Sequence, residues 1–155
     1  MTKSTICNKI FANGPYDIMV AGPINVNSKQ LMSFYDAILG ICDKLGKRTF
    51  CAYKFSNPHK TSNVTPEEVY NICKELVSKS KLLLAYVGHP SIGTGQELEI
   101  AVDNEIPIIL IYEKKIKISK MVLGNPAIIK KIAFTDYKEA TQKIQIAIKK
   151  YFEKN

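Results

Sequence analysis

Two kinds of apolar spacing alternate along the chain. One is the short unbroken run, at residues 16–21, 82–87 and 106–112, with less complete runs at 49–55 and 129–134. Runs so short and so apolar predict strands covered on both faces; 82–87 reads as the central strand and 106–112 as its neighbour. The other is the helical return of apolar residues every three or four positions. It predicts a helix capped by Asn27 or Ser28 that turns Leu31, Phe34, Tyr35, Ile38, Ile41 and Leu45 inward and stops at Gly46. A second begins at Thr65-Pro66-Glu67-Glu68, a Thr cap with proline at the first helical position and glutamate at the third, and carries Val69, Ile72, Cys73, Leu76 and Val77. Residues 96–104, with Leu98, Ala101 and Val102, form a third. A short helix over 119–123 is stopped by Gly124, and a last one over 138–152 carries Ala140, Ile144, Ile148 and Tyr151.

Strand and helix thus alternate along the whole chain, with no repeat, linker or low-complexity segment. The expectation is one three-layer α/β domain over residues 1–155. It has a five-stranded, mainly parallel sheet with helices on both faces, Rossmann- or flavodoxin-like and doubly wound. Residues 1–15 are polar, end in the turn Asn13-Gly14-Pro15 and read as a loose lead-in.

The rest of the chain is organised around residues 81–101, where the central strand runs into Gly88, His89, Pro90 and Ser91, then Gly93-Thr94-Gly95, then a helix with Glu97 in its first turn. In an open α/β sheet, ligands sit outside the carboxyl ends of the strands, and glycines ahead of a helix let a ligand approach the backbone and the positive helix terminus. Gly22, after the first strand, is a second such place.

Composition narrows the class. At 155 residues and 46% apolar the chain builds one real core. It has no run near the roughly 18 apolar residues of a membrane span and no signal-peptide core, so a soluble, unexported, cytoplasmic protein is expected. Cys7, Cys42, Cys51 and Cys73 are far apart and lack a C-x-x-C pair, which reads as reduced, buried thiols, with neither a metal site nor a cofactor. The formal charge is +8, and nearly all the excess lies in residues 113–155, with eleven lysines against four acids. Such a tail either attracts anions or is a solvated lysine face. Lacking an arginine cluster and interleaved aromatics, it does not point to nucleic acid.

Glu97 has two readings. Thr94-Gly95-Gln96-Glu97 matches a capping box, in which Thr94 and Glu97 would satisfy each other's backbone amides. A cap does not need Gly93 and Gly95, however, and both cost helix stability unless close approach is required. Alternatively Glu97 is a nucleophile toward an electrophilic sugar carbon, kept ionised by the helix N-terminus. Glu99 falls on another face and is a solvated residue; Ser91 either caps the helix or gives its hydroxyl to a phosphate. His89 and His59 read as loop residues, and neither glycine turn is a G-x-G-x-x-G fingerprint or carries a Walker lysine.

The segment Pro90-Ser91-Ile92-Gly93-Thr94-Gly95-Gln96-Glu97-Leu98, set between apolar strand and helix, resembles the nucleoside 2-deoxyribosyltransferase superfamily, nearest its branch of 2′-deoxynucleoside 5′-phosphate N-hydrolases. The resemblance extends over most of the chain: Gly22-Pro23-Ile24 matches the first glycine turn, and Ser119-Lys120-Met121-Val122-Leu123-Gly124 an S-x-M-x-x-G segment. It implies a deoxyribosyltransferase-like domain that cleaves or transfers the base-sugar bond of a nucleoside or nucleoside 5′-phosphate, with Glu97 as nucleophile. Ser91 would bind the 5′-phosphate, together with the backbone of Gly22, Pro23, Ile24 and Asn25 and of Gly93 and Gly95. A homodimer is implied in which Ser119 serves a neighbouring subunit's site, and Asn125 belongs to the same substrate-binding set. Two departures from the branch stand out. Where its hydrolases carry an aspartate just before the third strand this chain has Lys81, and Tyr86 replaces an acidic residue late in that strand. Tyr86, Tyr112 and His89 are therefore the candidates to supply a proton or orient the base. Loss of the acid also opens an alternative, a nucleotide-binding sensor without catalysis.

Overall fold

A computed structural model describes residues 9–12, 14–26, 28–55 and 64–155. It contains a five-stranded parallel sheet, β1 (Ile18–Ala21), β2 (Thr49–Cys51), β3 (Leu82–Tyr86), β4 (Ile108–Glu113) and β5 (Ile128–Phe134). The strands lie in the order β2-β1-β3-β4-β5. Five of the helices matter below: α1 (Lys29–Lys44), α2 (Ala52–Phe55), α3 (Pro66–Lys79), α4 (Ile92–Asp103) and α5 (Lys120–Leu123), and α6 (Tyr137–Lys154) closes the chain. The expected α/β class holds, and β3 and β4 are indeed paired, with Leu83 opposite Ile108 and Tyr86 opposite Ile111.

Strand parity distributes the core. Ile18, Val20, Leu82, Leu84 and Tyr86 point to one face, where α1 and α6 cover them with Leu31, Phe34, Ile38, Ile144 and Ile148. Met19, Ala21, Leu83 and Ala85 point to the other, where Ile72, Leu76 and Val77 of α3 meet Leu98 and Ala101 of α4. All five β3 residues are buried, as an unbroken apolar run between two helical layers requires.

The helix starts follow local chemistry. Ser28 Oγ accepts the Leu31 amide at 3.2 Å, which selects Ser28 as the α1 cap; Asn27 lies outside the described residues. Thr65 and Glu68 form the full capping box, with bonds of 3.2 and 2.9 Å. Gly124 ends α5 as expected. Two boundaries differ from expectation. The second strand covers only Thr49–Cys51, because Ala52–Phe55 coils into one helical turn. The helix carrying Glu97 starts at Ile92 with Ser91 as its cap, not at Gln96. In the lead-in, residues 9–11 form a helical turn whose Ile10 carbonyl accepts the Tyr16 hydroxyl at 3.1 Å. Cys7 and His59 lie outside the described residues. Among those described, no helix is long and apolar enough to cross a membrane.

Candidate functional site

The strand order turns outward from β1 in both directions, so the connections after β1 and β3 leave in opposite senses and open a crevice at their carboxyl ends. A cavity of about 470 Å³ lies there. Gly22 and Ile24 after β1, Ala52 after β2, and Ser91, Gly93, Thr94 and Glu97 of the α4 turn line it. Its outer wall is apolar, from Val69, Tyr70 and Ile100.

Among the described residues lining this cavity Glu97 is the charged side chain, and it is 8% exposed. Burial pushes its carboxyl up to about 8, and a hydrogen bond from the Cys73 thiol on α3 works weakly against that. The Cys73 thiol is pushed up in turn to about 12, by burial first and then by the Glu97 charge. The expectation that the helix terminus keeps Glu97 ionised is thus corrected. Glu97 lies six positions beyond the cap, past the first turn where the dipole acts, and desolvation dominates. The capping-box reading also falls, because the cap is Ser91, whose Oγ accepts the Thr94 amide at 3.3 Å.

Ser91 accepts one bond as a cap and keeps its own proton to donate. Gly93 faces the cavity, and an added Cβ there would meet nothing closer than Ser91 Oγ at 4.0 Å. A Cβ at Gly95 would meet nothing within 4 Å, so neither glycine is required by packing. The Gly95 amide is bonded to the Ser91 carbonyl at 3.1 Å, and Gly95 faces a second cavity of about 420 Å³ together with His89 and Ser119. Ser91 and Thr94 line both cavities. Gly22 has a packing reason as well, since a Cβ there would collide with the Tyr35 hydroxyl, which donates to the Pro23 carbonyl at 3.1 Å.

The remaining candidates lie elsewhere. Asn25 is exposed and not among the residues lining the Glu97 cavity. Asn125 braces the backbone, accepting the Ala127 amide at 2.9 Å and donating to the Leu98 carbonyl at 3.4 Å. Tyr86 is fully buried on the α1/α6 face, and its hydroxyl donates to Glu113 at 2.7 Å. Burial and Glu113 push that phenol above the usual range, so it stands apart from Glu97 both in position and in acidity. Lys81 is at the amino end of β3, where its ammonium meets Asp17 at 2.8 Å. The strand's whole length therefore separates it from the cavity, and the inference that Lys81 removes a proton donor from the site is corrected. Cys73, Tyr70 and Ala52 carry no sequence signal for the site; they read as core or surface positions. Among the described residues no group of three His, Cys, Asp or Glu could hold a metal ion.

No family model matches the chain. A protein of Methanosarcina mazei with the provisional name 2′-deoxynucleoside 5′-phosphate N-hydrolase 1 is 31% identical over 136 residues, covering 86% of this chain and 83% of that protein. This chain belongs to the 2′-deoxynucleoside 5′-phosphate N-hydrolase family. It is accordingly an enzyme of the N-hydrolase class. A Methanosarcina barkeri protein of the same provisional name is 32% identical, covering 70% of this chain and 69% of that protein. Solved structures share the fold of this N-hydrolase family member. The Clostridium botulinum CMP N-glycosidase BcmB superposes with a TM-score of 0.66 at 16% identity over 84% of this chain and 98% of its own. A 2-deoxyribosyltransferase of Bacillus psychrosaccharolyticus does so at 0.58 and 19%, over 80% of this chain and 89% of its own.

Proposed function

We propose that this chain breaks the base-sugar bond of a nucleoside 5′-phosphate, with Glu97 as the nucleophile. The observation that carries it is a buried carboxylate, with no cation among the described residues that line the cavity, opening onto space at the carboxyl ends of β1 and β3. The ionised Glu97 oxygen attacks the anomeric carbon; the carbon-nitrogen bond breaks and its electron pair leaves with the base. Water, or an acceptor base, then attacks the same carbon and frees the carboxylate. The phosphate is taken at the α4 N-terminus by the Gly93 amide and the Ser91 hydroxyl, beside the Gly22-Pro23-Ile24 turn. The flat base rests on the wall formed by Val69, Tyr70 and Ile100.

Tyr86 and Asn125 are given supporting roles, the first holding Glu113 and the second holding the backbone beneath α4. Ser119 serves a second copy of the chain. Exposed Ile92 and Met121, at 87% and 85%, near the cavity that contains Ser119, form the apolar surface such a pairing would cover. Size-exclusion chromatography with light scattering tests it, and a strict monomer would remove that part. The sensor alternative drew on Lys81, which stands at the other end of the sheet and lends it nothing. The decisive experiment incubates the protein with ribo- and deoxyribonucleosides and their 5′-monophosphates and follows free base by chromatography. Release that persists unchanged in Glu97→Ala would sink the mechanism.

A further inference from the structure

Among the described residues two buried side-chain oxygens lack a hydrogen-bond partner, Thr94 Oγ1 and Glu113 Oε2. Glu113 is held through its other oxygen by Tyr86, whereas Thr94 has a single oxygen and uses it for nothing. Thr94 is 4% exposed and lines the Glu97 cavity. A hydroxyl removed from water without a partner opposes folding, and a valine of the same shape would avoid that cost. Ser and Thr in helices usually donate to a carbonyl one turn back; Thr94 does not. The fold thus carries an unpartnered donor and acceptor where its proposed chemistry takes place.

Position narrows what would satisfy it. Ser91, Thr94 and Glu97 recur at three-residue intervals on α4 and so rise along one face in steps of about 4.5 Å. With the anomeric carbon at Glu97 and the phosphate at the helix cap, the group facing the middle step belongs to the sugar. The sugar's ring hydroxyls are its hydrogen-bonding groups of that type. We infer that Thr94 is a substrate-binding residue whose hydroxyl pairs with a ring hydroxyl of the sugar and so sets the enzyme's choice among ribose, deoxyribose and their dideoxy forms. This rests on the reading of the cavity as a nucleotide site.

The test compares Glu97→Gln with Glu97→Gln/Thr94→Val, in both of which the proposed mechanism slows turnover, by calorimetric titration with ribo-, 2′-deoxy- and 2′,3′-dideoxynucleoside 5′-monophosphates of the four common bases. The valine should weaken binding about five- to tenfold for nucleotides with the recognised hydroxyl and leave the dideoxy forms unchanged. A loss confined to ribonucleotides assigns the 2′-hydroxyl; an equal loss for ribo and deoxy assigns the 3′-hydroxyl. Unchanged affinity throughout, or an equal loss that includes the dideoxy forms, overturns the assignment and leaves the nucleotide site standing. If no nucleotide binds either protein, the site reading and the assignment fall together. Ligand-free Thr94→Val should melt at or above the parent temperature; a clear drop would show that the hydroxyl serves the fold and would overturn the inference.

Discussion

Asp17 and Glu97 stand at opposite ends of the same sheet and are treated in opposite ways. At the amino ends, burial works to raise Asp17, but the Lys81 ammonium and the Arg48 amide outweigh it and hold the carboxyl below its usual range. At the carboxyl ends, Glu97 is buried with, among the described residues, a thiol alone to support its charge and is pushed up to about 8. The first carboxylate is partnered as a fold-holding charge is. The second carries a desolvation cost that no described neighbour offsets with a positive charge, an environment that suits the nucleophile proposed above. The difference lies in what each end of a parallel sheet offers. The amino end carries the Lys81–Asp17 ion pair, while the carboxyl end opens where the connections leaving β1 and β3 part in opposite senses.

The largest effect that would break this comparison is on turnover. Glu97→Gln should lower base release by on the order of 10³-fold or more while the circular dichroism spectrum stays native. The pH dependence comes next. Glu97 must be ionised to attack, so kcat/KM should climb as pH rises through about 8 and flatten above it. Stability runs the other way. The folded pKa exceeds the unfolded value of 4.5, so folding loses free energy as pH rises from 4.5 through about 8. At pH 9, Glu97→Gln should therefore be more stable than the parent by a few kcal/mol, since each tenfold weakening of the acid on folding corresponds to about 1.4 kcal/mol, and the gap should close by pH 5. Denaturant melts at both pH values read it, and a pH-independent gap would refute it.

A smaller effect concerns Cys73. Its thiol bond favours the ionised form of Glu97, so Cys73→Ala should move the midpoint of the pH-rate curve upward by up to about one pH unit, and Cys73→Ser should restore it. Smallest of all is Lys81→Asp. It sets a second negative charge beside Asp17 and should lower the melting temperature, yet leave kcat/KM unchanged because the site is a strand's length away. A gain in activity would return the proton-donor role to that position.

Most of the fold is legible in the sequence because its signals are local. The apolar runs of β3 and β4, the Thr65 capping box and Gly124 are all read from neighbours in sequence. The start of α4 is not, because glycines weaken a helix, and Gly93 and Gly95 therefore read as turn; the structure keeps them in the helix because Ser91 caps it. Tyr86 misleads for a different reason. Period two shows that residues 82, 84 and 86 share a face, but which face carries α4 is decided by the crossover after β3. Cys73 looks like any inward position of α3. Its place beside Glu97 exists only once α3 and α4 pack side by side.

By itself, then, the sequence determined the α/β class, the approximate strands and helices, and the strand-glycine-helix segment that holds Glu97, because hydrophobic period and capping act over a few residues. Tertiary structure alone decided that Lys81 and Tyr86 stand away from the cavity, and that Cys73 and Thr94, whose hydroxyl lacks a partner, line it. It also made Glu97 a weaker acid than a solvated glutamate. Burial is a property of how elements pack, and no residue's neighbours in sequence determine how far it lies from water.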